Sequence, residues 1–234
     1  MATAKELRAL LAKVPIFAEL EAPELDALLR GIGQRRLRSR EILFRKGAHG
    51  SQTYVIVSGR CRASTAGADG KELVLRIMDP GEVIGEISLL DGHPRSATVA
   101  ALEPTELLVI ERRDLLPFLR EHPEAAIKLL QVLGSRLRTV SELLEDTLFL
   151  NLPARLSRKL LALAETYGRE GPAGLHIELR LSQQELGELI GTSRESVNKQ
   201  VRAWTEQGVL TMDRRHVTIH KPQVLEQLAR LSLA

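Results

Sequence analysis

Residues 42–110 alternate apolar with polar side chains in short runs, and glycine-containing turns separate these runs. The clearest runs are Thr53–Gly59, Glu72–Met78, Thr98–Leu102 and Leu107–Ile110. The turns include Lys46-Gly47, Asp69-Gly70, Asp79–Gly81 and Asp91-Gly92. Short alternating runs are typical of half-buried strands. Because no helix is expected between them, they predict an antiparallel β-roll or barrel and exclude a βαβ sheet.

The composition is that of a globular chain with room for two domains. It has 234 residues, of which 44% are hydrophobic and 27% charged, with a mean hydropathy of -0.08. A single domain usually has about 100–150 residues. These values exclude a disordered or collagen-like chain. No segment reaches the stretch of about 18 uncharged apolar residues that a transmembrane helix needs.

The N-terminal segment Met1–Phe17 has the pattern of an amphipathic helix. Lys5, Arg8 and Lys13 interrupt its leucines, whereas a signal peptide would need a continuous apolar centre. The single cysteine, Cys61, excludes a disulfide framework within one chain. Both features predict a cytoplasmic protein.

Residues 121–150 have a long helical pattern with no proline after Pro123 and one glycine, Gly134. Apolar residues recur along it at alternating intervals of three and four, as in a heptad seam. They are Leu130, Leu133, Leu137, Val140, Leu144 and then Thr147 or Leu148. A helix packed on its own domain could show this pattern. Its length and regularity favour pairing with a second copy in a two-fold homodimer, which is the commonest oligomer.

The last part of the chain, residues 151–234, carries the net charge. It has 12 Lys+Arg against 9 Asp+Glu, while the preceding 150 residues contain 21 of each. This excess is by itself a weak indication of nucleic-acid binding. The predicted elements are a hinge with a helix start at Asn151–Pro153, a helix through Ala164, a loop over Gly168–Gly174, helical segments over Ser182–Gln207, a hairpin over Val209–His220 that turns at Asp213–Arg215, and a tail helix over Val224–Leu233.

One motif, Ile84–Val99, combines an acid, an arginine and a hydroxyl in a form suited to a nucleotide. Glu86 can accept hydrogen bonds from a sugar hydroxyl, and Arg95 presents a planar fork that matches the oxygens of a phosphate. Gly85 allows a close approach of the backbone to a ligand, and Ser96 adds a hydroxyl. The alternative interpretation is a surface salt bridge between Glu86 and Arg95 across a turn.

A second motif, Leu181–Trp204, has the pattern of two short helices joined by a tight turn. Ser182 and Glu185 form a capping box at the first helix, Gly191 suits the turn, and Ser193 caps the second helix. The outer face of the second helix presents Arg194, Glu195, Asn198, Lys199 and Arg202. This pattern predicts a helix-turn-helix whose second helix reads bases, with a plain helical hairpin of an enzyme as the alternative.

Taken together, the two motifs resemble those of the CRP/FNR family of bacterial transcription regulators. The first motif resembles the phosphate-binding cassette of cyclic-nucleotide-binding domains. The matching residues are Gly85, Glu86, Ile87, Ser88, Leu89, Pro94, Arg95, Ser96, Ala97 and Thr98. The resemblance spans essentially the whole chain and implies an α+β fold. Its parts would be an N-terminal antiparallel β-roll that binds a cyclic nucleotide (residues 1–120), a long dimerisation helix (121–150) and a C-terminal winged helix-turn-helix that binds DNA (151–234).

The resemblance also implies which residues hold the effector. Glu86 would bind the ribose 2′-hydroxyl, and Arg95 with Ser96 would bind the cyclic phosphate. The implied ligand site consists of Gly85, Glu86, Ile87, Ser88, Arg95, Ser96, Arg136, Val140 and Ser141. Val140 stands where cyclic AMP receptors usually have a threonine, and it cannot form a hydrogen bond with a base. We expect cyclic AMP as the allosteric effector, and the loss of that hydroxyl leaves cyclic GMP open.

For the second motif, the resemblance implies that the protein binds double-stranded DNA at a two-fold, TGTGA-like site. Arg194 suits the O6/N7 edge of guanine, Glu195 can accept from a cytosine amino group, and Lys199 replaces an arginine of the family. The expected DNA contacts are Ser193, Arg194, Glu195, Asn198, Lys199, Arg202 and, in the wing, Arg214 and Arg215. RNA polymerase is a further partner expected from the family.

Other functions lack the residues that they need. Cys61 alone cannot hold an iron–sulfur cluster, which normally takes four cysteines. No histidine pair has a metal-ligand spacing such as HExxH. We therefore expect no metal site, no enzymatic activity and no membrane partner. A family regulator with a different effector or none is the alternative, and a β-roll that serves only as an interaction module is a third hypothesis.

Overall fold

The chain folds into two compact units. The computed structural model describes residues 8, 9, 11, 12, 14, 15, 17 and 31–230. The first unit contains the described residues up to 65 together with residues 75–138, and the second contains residues 66–74 together with the described residues from 139 onward. Most of the predicted N-terminal helix, Met1–Phe17, lies outside the described residues, although Leu11, Val14 and Phe17 are buried.

Among the described residues, eight strands form the two sheets of the β-roll. They are β1 Gly33–Leu37, β2 Ile42–Phe44, β3 Gln52–Ser58, β4 Cys61–Ala66, β5 Glu72–Met78, β6 Val83–Ile84, β7 Thr98–Ala101 and β8 Thr105–Glu111. The strand orders are β1-β8-β3-β6 and β2-β7-β4-β5, and pairs such as β1/β8, β3/β8 and β4/β7 are antiparallel. The predicted antiparallel roll is confirmed, and the four alternating runs lie in β3, β5, β7 and β8.

The two central strands β3 and β8 are buried on both faces. Val55 and Leu108 belong to one hydrophobic cluster, whereas their chain neighbours Ile56 and Leu107 belong to the other. Successive side chains of a strand point to opposite faces, so each strand contributes to both cores. Cys61 lies in the second cluster. Burial raises the pKa of its thiol to about 12, although a hydrogen bond with Thr105 acts to lower this pKa. This thiol therefore stays protonated and inert near neutral pH.

Three helices follow or interrupt these strands: α1 Glu86–Asp91, α2 Arg112–Glu121 and α3 Pro123–Phe149. The expectation that residues 42–110 contain no helix is wrong, because α1 lies between β6 and β7. It is bounded by two left-handed glycines, Gly85 with φ 81° and Gly92 with φ 75°. The helix expected over 121–150 begins only at Pro123. A residue before proline is kept out of the helical region, and His122 has φ −123° and ψ 79°.

The second unit contains the C-terminal elements. They are α4 Leu152–Tyr167, β9 Gly168–Gly171, β10 Gly174–Ile177, α5 Gln183–Ile190, α6 Arg194–Glu206, β11 Leu210–Asp213, β12 His216–Ile219 and α7 Pro222–Ala229. The four strands form one sheet with the order β11-β12-β10-β9. The predicted loop over Gly168–Gly174 is wrong, since these residues supply β9 and the start of β10. β9 is exposed throughout and has no apolar alternation, and it forms by pairing with β10.

The helix start predicted at Asn151–Pro153 is confirmed. The Asn151 side chain accepts a hydrogen bond from the Ala154 backbone N–H at 3.0 Å, and Pro153 lies in the first turn of α4. α4 extends past Ala164 to Tyr167. The tail helix is Pro222–Ala229, which starts before the predicted Val224, and the predicted end at Leu233 lies outside the described residues.

Candidate functional sites

Arg95 is the centre of the candidate ligand site. It is 4% exposed, and its guanidinium lies 4.2 Å from the centre of the Phe44 ring. Nη1 donates to the Gly85 carbonyl at 2.7 Å and to Ser88 Oγ at 2.9 Å, and Nη2 donates to the Gln52 carbonyl at 2.6 Å. Nε is buried and has no hydrogen-bond partner among the described residues. The acceptors that surround this cation are therefore neutral.

Two glycines leave the space that the Arg95 guanidinium occupies. A Cβ at Gly85, which has φ +81°, would lie 2.4 Å from Nη1 of Arg95. A Cβ at Gly50 would lie 2.5 Å from Nη2. Gly85 was predicted from the motif, whereas Gly50, Gln52 and Phe44 were not. They lie in strands or turns distant in sequence from the motif, and no local pattern marks them as neighbours of Arg95.

The electrostatics of Arg95 are those of a desolvated cation. Burial lowers the pKa of its guanidinium, and the negative potentials of Tyr54 and Glu86 partly offset this effect. Arginine nevertheless keeps its charge, because its pKa starts far above neutral pH. A buried positive charge without an anion in contact is costly. The arrangement is thus suited to an anionic ligand that reaches the guanidinium.

Glu86, on the first turn of α1, is 1% exposed and pairs with Arg136 of α3. Arg136 Nη1 donates to the Glu86 carboxylate, while Nη2 donates to the Val83 carbonyl at 2.5 Å and lies 3.7 Å from Glu82 Oε2. The alternative of a surface salt bridge between Glu86 and Arg95 is wrong, because both side chains are buried and each has other partners. The structure therefore brings Glu86, Ser88, Arg95 and Arg136 together.

The other residues of the implied ligand site differ in placement. Ile87 is 40% exposed and Ser96 is exposed next to Arg95. Val140 is 44% exposed and Ser141 is exposed, and both lie on the part of α3 that belongs to the second unit. Their contact with a base stays a prediction.

The candidate DNA site is built on a capped helix pair. The Ser182 hydroxyl accepts from the Glu185 N–H at 3.2 Å, and the Ser182 N–H donates to Glu185 Oε2 at 2.6 Å, which confirms the capping box. Gly191 has φ 66° at the end of α5. The Ser193 hydroxyl accepts a hydrogen bond from the Ser196 N–H at 3.2 Å and thereby caps the N-terminus of α6. These local signals set the geometry of the turn.

Helix α6 has one apolar face and one polar face. Val197, Val201 and Trp204 are at most 5% exposed. The predicted DNA contacts Ser193, Arg194, Glu195, Lys199 and Arg202 are exposed. Asn198 is half-buried, and its Oδ1 accepts a hydrogen bond from Gln183 Nε2 at 3.3 Å. A polar helix face with both charge signs can form hydrogen bonds with base edges in a major groove.

The wing residues Arg214 and Arg215 form the turn between β11 and β12. Arg214 is exposed. Arg215 Nη2 contacts both oxygens of Glu185, at 2.9 Å and 2.7 Å. This ion pair was not predicted, because the sequence separates its partners by thirty positions.

Two family models match the parts of the chain that contain the candidate sites. The family model of the cyclic nucleotide-binding domain matches residues 34–122, and that of the Crp-like helix-turn-helix domain matches residues 154–228. The cyclic AMP receptor protein of Thermus thermophilus is 34% identical over 215 residues, which cover 92% of this chain and 96% of that protein. The chain belongs to the CRP/FNR family of transcription regulators. The predicted family is confirmed.

Two further proteins that are similar to this CRP/FNR chain are named after different effectors. The CRP-like cAMP-activated global transcriptional regulator of Mycobacterium tuberculosis is 30% identical over 221 residues, covering 94% of this chain and 99% of that protein. The solved structure of the c-di-GMP responsive global regulator CLP of Xanthomonas campestris is 25% identical and superposes with a TM-score of 0.77 over 86% of this chain and 99% of that one. Similarity to these proteins therefore does not identify the effector of this chain, which depends on its own residues.

Metal-binding clusters and membrane-spanning helices are both absent from the described part of this CRP/FNR chain. No cluster of three or more His, Cys, Asp or Glu side chains among residues 8–17 (in part) and 31–230 could hold a metal ion. Over the same described residues, none of the helices combines the length and the apolar character needed to cross a membrane.

Proposed function

We propose that this CRP/FNR regulator is a homodimer that binds a cyclic nucleotide in its β-roll and a two-fold, TGTGA-like DNA site with its paired helix-turn-helix motifs. Cyclic AMP is the favoured effector, and cyclic GMP is the alternative nucleotide. The observation that carries the proposal is Arg95, a buried cation whose hydrogen-bond acceptors are all neutral. A cyclic phosphate would supply the anion that these acceptors do not provide.

The surroundings of Arg95 fit a phosphate. The buried Nε of Arg95 has no hydrogen-bond partner among the described residues. Ser96 is the next residue in the sequence, and it is exposed and carries a hydroxyl. Charge-assisted hydrogen bonds between a guanidinium and a phosphate are among the strongest in proteins. When bound, the nucleotide supplies negative charge and the ribose 2′-hydroxyl, and Arg95 with Ser96 would hold the phosphate.

Glu86 is the candidate partner of the ribose 2′-hydroxyl. Its carboxylate already accepts from Arg136, but an ionised carboxylate has about four lone-pair positions. It can therefore accept from Arg136 and from a hydroxyl at the same time. Arg136 would then connect the ligand site with helix α3, on which Val140 and Ser141 are the proposed base contacts.

The homodimer is supported by an apolar face on α3. Leu130 is 65% exposed, Leu137 68%, Leu144 58% and Leu148 59%. Large exposed apolar surfaces are rare on monomers and mark contact sites. The same heptad pattern on a second copy would cover this face.

The DNA site follows from α6 and from two-fold symmetry. Two recognition helices must lie about 34 Å apart to enter successive major grooves. We propose Ser193, Arg194, Glu195, Asn198, Lys199 and Arg202 as contacts of α6, with Arg214 in the wing. The protein would act in the cytoplasm, where it meets the chromosome and RNA polymerase, the further partner expected from the family, and it has no proposed enzymatic role.

Isothermal titration of the purified protein with cyclic AMP and, separately, with cyclic GMP tests the effector. We expect heat with cyclic AMP, and Arg95→Leu should abolish it while the variant stays folded. Arg38→Leu, at an exposed position of the same β-roll, is the control and should bind as the natural chain does. Unchanged binding by Arg95→Leu would show that the site is elsewhere.

A second candidate is a family regulator with a different effector or none. It is favoured by the pairing of Glu86 with Arg136, which occupies part of the ribose acceptor, and by the apolar side chain of Val140. No heat and no change of melting temperature with either cyclic nucleotide would support this candidate and contradict the first.

A further inference from the structure

We propose that Arg215 is a positioning residue that fixes the wing to the first helix of the helix-turn-helix, and that Arg214 alone makes the phosphate contact of the wing turn. This inference rests on the DNA binding proposed above and revises the sequence-based expectation that both arginines contact DNA.

The wing turn has a backbone that its residues do not favour. Arg214 and Arg215 are the two residues between β11 and β12, and both have positive φ, 43° and 76°. Two-residue hairpin turns of this kind usually contain Asn-Gly or Gly-Gly, because a Cβ disfavours the left-handed region. Two consecutive arginines therefore need contacts outside the hairpin that hold this conformation.

Arg215 supplies such contacts from both its side chain and its backbone. Its Nη2 contacts Glu185 Oε1 at 2.9 Å and Oε2 at 2.7 Å, and its carbonyl accepts from the Leu181 N–H at 2.9 Å. Leu181 directly precedes Ser182, the cap of α5. The turn is thus attached to the beginning of α5 at two points.

Glu185 has two functions at once. The carboxylate that receives Arg215 also accepts from the Ser182 N–H at 2.6 Å and from the Ser182 hydroxyl at 2.7 Å, as part of the capping box. Burial alone would raise the pKa of Glu185, but the Ser182 hydrogen bonds and the Arg215 charge outweigh it, so the pKa is lowered. One ionised carboxylate therefore links the wing to the N-terminus of α5.

Arg214 differs from Arg215 in this respect. Both residues are exposed, but Arg215 pairs with Glu185, whereas no ion pair is found for Arg214 within the residues that the structure describes. The guanidinium of Arg215 is directed to α5, and its charge is balanced by Glu185. The two neighbours have the same side chain and the same sign of φ, so that each serves as the matched control for the other.

The test measures binding of the full-length protein, with saturating cyclic AMP, to a duplex that carries two TGTGA-like half-sites at several salt concentrations. Loss of a phosphate contact lowers the slope of log K against log [salt] by about 0.9. We expect Arg214→Gln to lower the slope by this amount. Arg215→Gln should leave the slope unchanged and weaken binding about fivefold, as expected for loss of one partly exposed ion pair.

Glu185→Gln provides the second arm, because glutamine keeps a capping box intact while it removes the charge. We expect Glu185→Gln to weaken DNA binding as Arg215→Gln does, and the double variant to be no weaker than either single variant. A slope lowered by Arg215→Gln as much as by Arg214→Gln would overturn the proposal, and so would full additivity of the Arg215 and Glu185 effects.

Hydrogen exchange without DNA separates this proposal from the proposed function. Arg215→Gln and Glu185→Gln should both accelerate exchange of the Leu181 N–H and of the amides of residues 210–219, whereas Arg214→Gln should not. Unchanged exchange in both variants would overturn the positioning role whether or not the protein binds DNA. The natural chain could also fail to bind DNA while Arg215→Gln and Glu185→Gln accelerate exchange as expected. That result would contradict the proposed function and the assignment of the phosphate contact to Arg214, but not the positioning role of Arg215.

Discussion

The guanidinium of Arg136 on helix α3 is paired with the carboxylate of Glu86 on helix α1, and the two side chains are only 13% and 2% exposed. Glu86 is the residue proposed to hold the ribose. The ligand site and the long helix are therefore joined by an ion pair between two largely buried side chains. Removal of one partner of such a pair leaves an uncompensated charge in a low-dielectric environment.

Arg136→Leu should consequently destabilise the protein by about 3 kcal/mol at neutral pH. Adding Glu86→Gln to this variant should recover part of the loss, because the unpaired charge is then gone. Urea unfolding of the single and double variants measures both effects. Arg138→Leu, at an exposed position of the same helix, is the control and should change stability little. A loss below 1 kcal/mol for Arg136→Leu would show that the pair is unimportant for stability.

The parts of the fold that could be predicted depend on signals between close neighbours in sequence. Ser182 and Glu185 are three residues apart, and their capping box forms as predicted. The alternating runs of the β-roll and the cap at Ser193 are likewise local patterns. Each of these signals acts within one turn or one strand, so the local structure that it predicts does not depend on the residues that pack around it.

The features that could not be predicted are set by contacts between distant residues. β9 has no apolar alternation and exists because β10 pairs with it. Gly50 matters because the guanidinium of Arg95 lies where its Cβ would be. Arg215 has the charge and the side-chain type of a DNA contact, and only the folded chain shows that it pairs with Glu185. Charge and residue type alone cannot distinguish a DNA ligand from an internal ion pair.

Gly50→Ala should weaken nucleotide binding without unfolding the protein. The added Cβ would lie 2.5 Å from Nη2 and 2.8 Å from Nε of Arg95, so the guanidinium must move and give up its bond to the Gln52 carbonyl. We expect a loss of affinity for cyclic AMP of about tenfold or more, because a hydrogen bond to a charged group is worth about 1.5–3 kcal/mol. Isothermal titration measures this. Gly33→Ala, whose Cβ would make an ordinary contact at 3.4 Å with Val109, should bind normally; equal affinities of the two variants would contradict the role of Gly50.

Acid should loosen the helix-turn-helix through Glu185. Its pKa is lowered in the folded chain, where burial is outweighed by the Ser182 hydrogen bonds and the Arg215 charge. The stabilisation is therefore complete above the unfolded pKa of about 4.3 and is lost as the pH falls through the lower folded pKa. Urea midpoints between neutral and acid pH should fall more steeply for the natural chain than for Glu185→Gln. Glu206→Gln, at an exposed position, is the control, and parallel curves for all three proteins would refute this linkage.

Arg194 should determine one base of the half-site. It is exposed in the first turn of α6, directly after the Ser193 cap. Arg194→Ala should cost about 1–3 kcal/mol on the preferred sequence and relax selectivity at a single position. Binding to duplexes substituted at each position in turn measures this. Equal weakening on every duplex would identify Arg194 as a phosphate contact.

Leu137→Glu should dissociate the proposed homodimer. Leu137 is 68% exposed in the middle of the apolar face of α3, where burial of a leucine is worth about 1.5–3 kcal/mol. Because a two-fold axis would place the substitution on both copies, we expect the dimer dissociation constant to rise at least about 100-fold. Sedimentation at several protein concentrations distinguishes monomer from dimer. Gln131→Glu adds the same charge at an exposed position outside the seam and should leave the dimer intact. If Leu137→Glu sediments as the natural chain does, the exposed face of α3 is not the dimer contact, and the two recognition helices must be related through another surface.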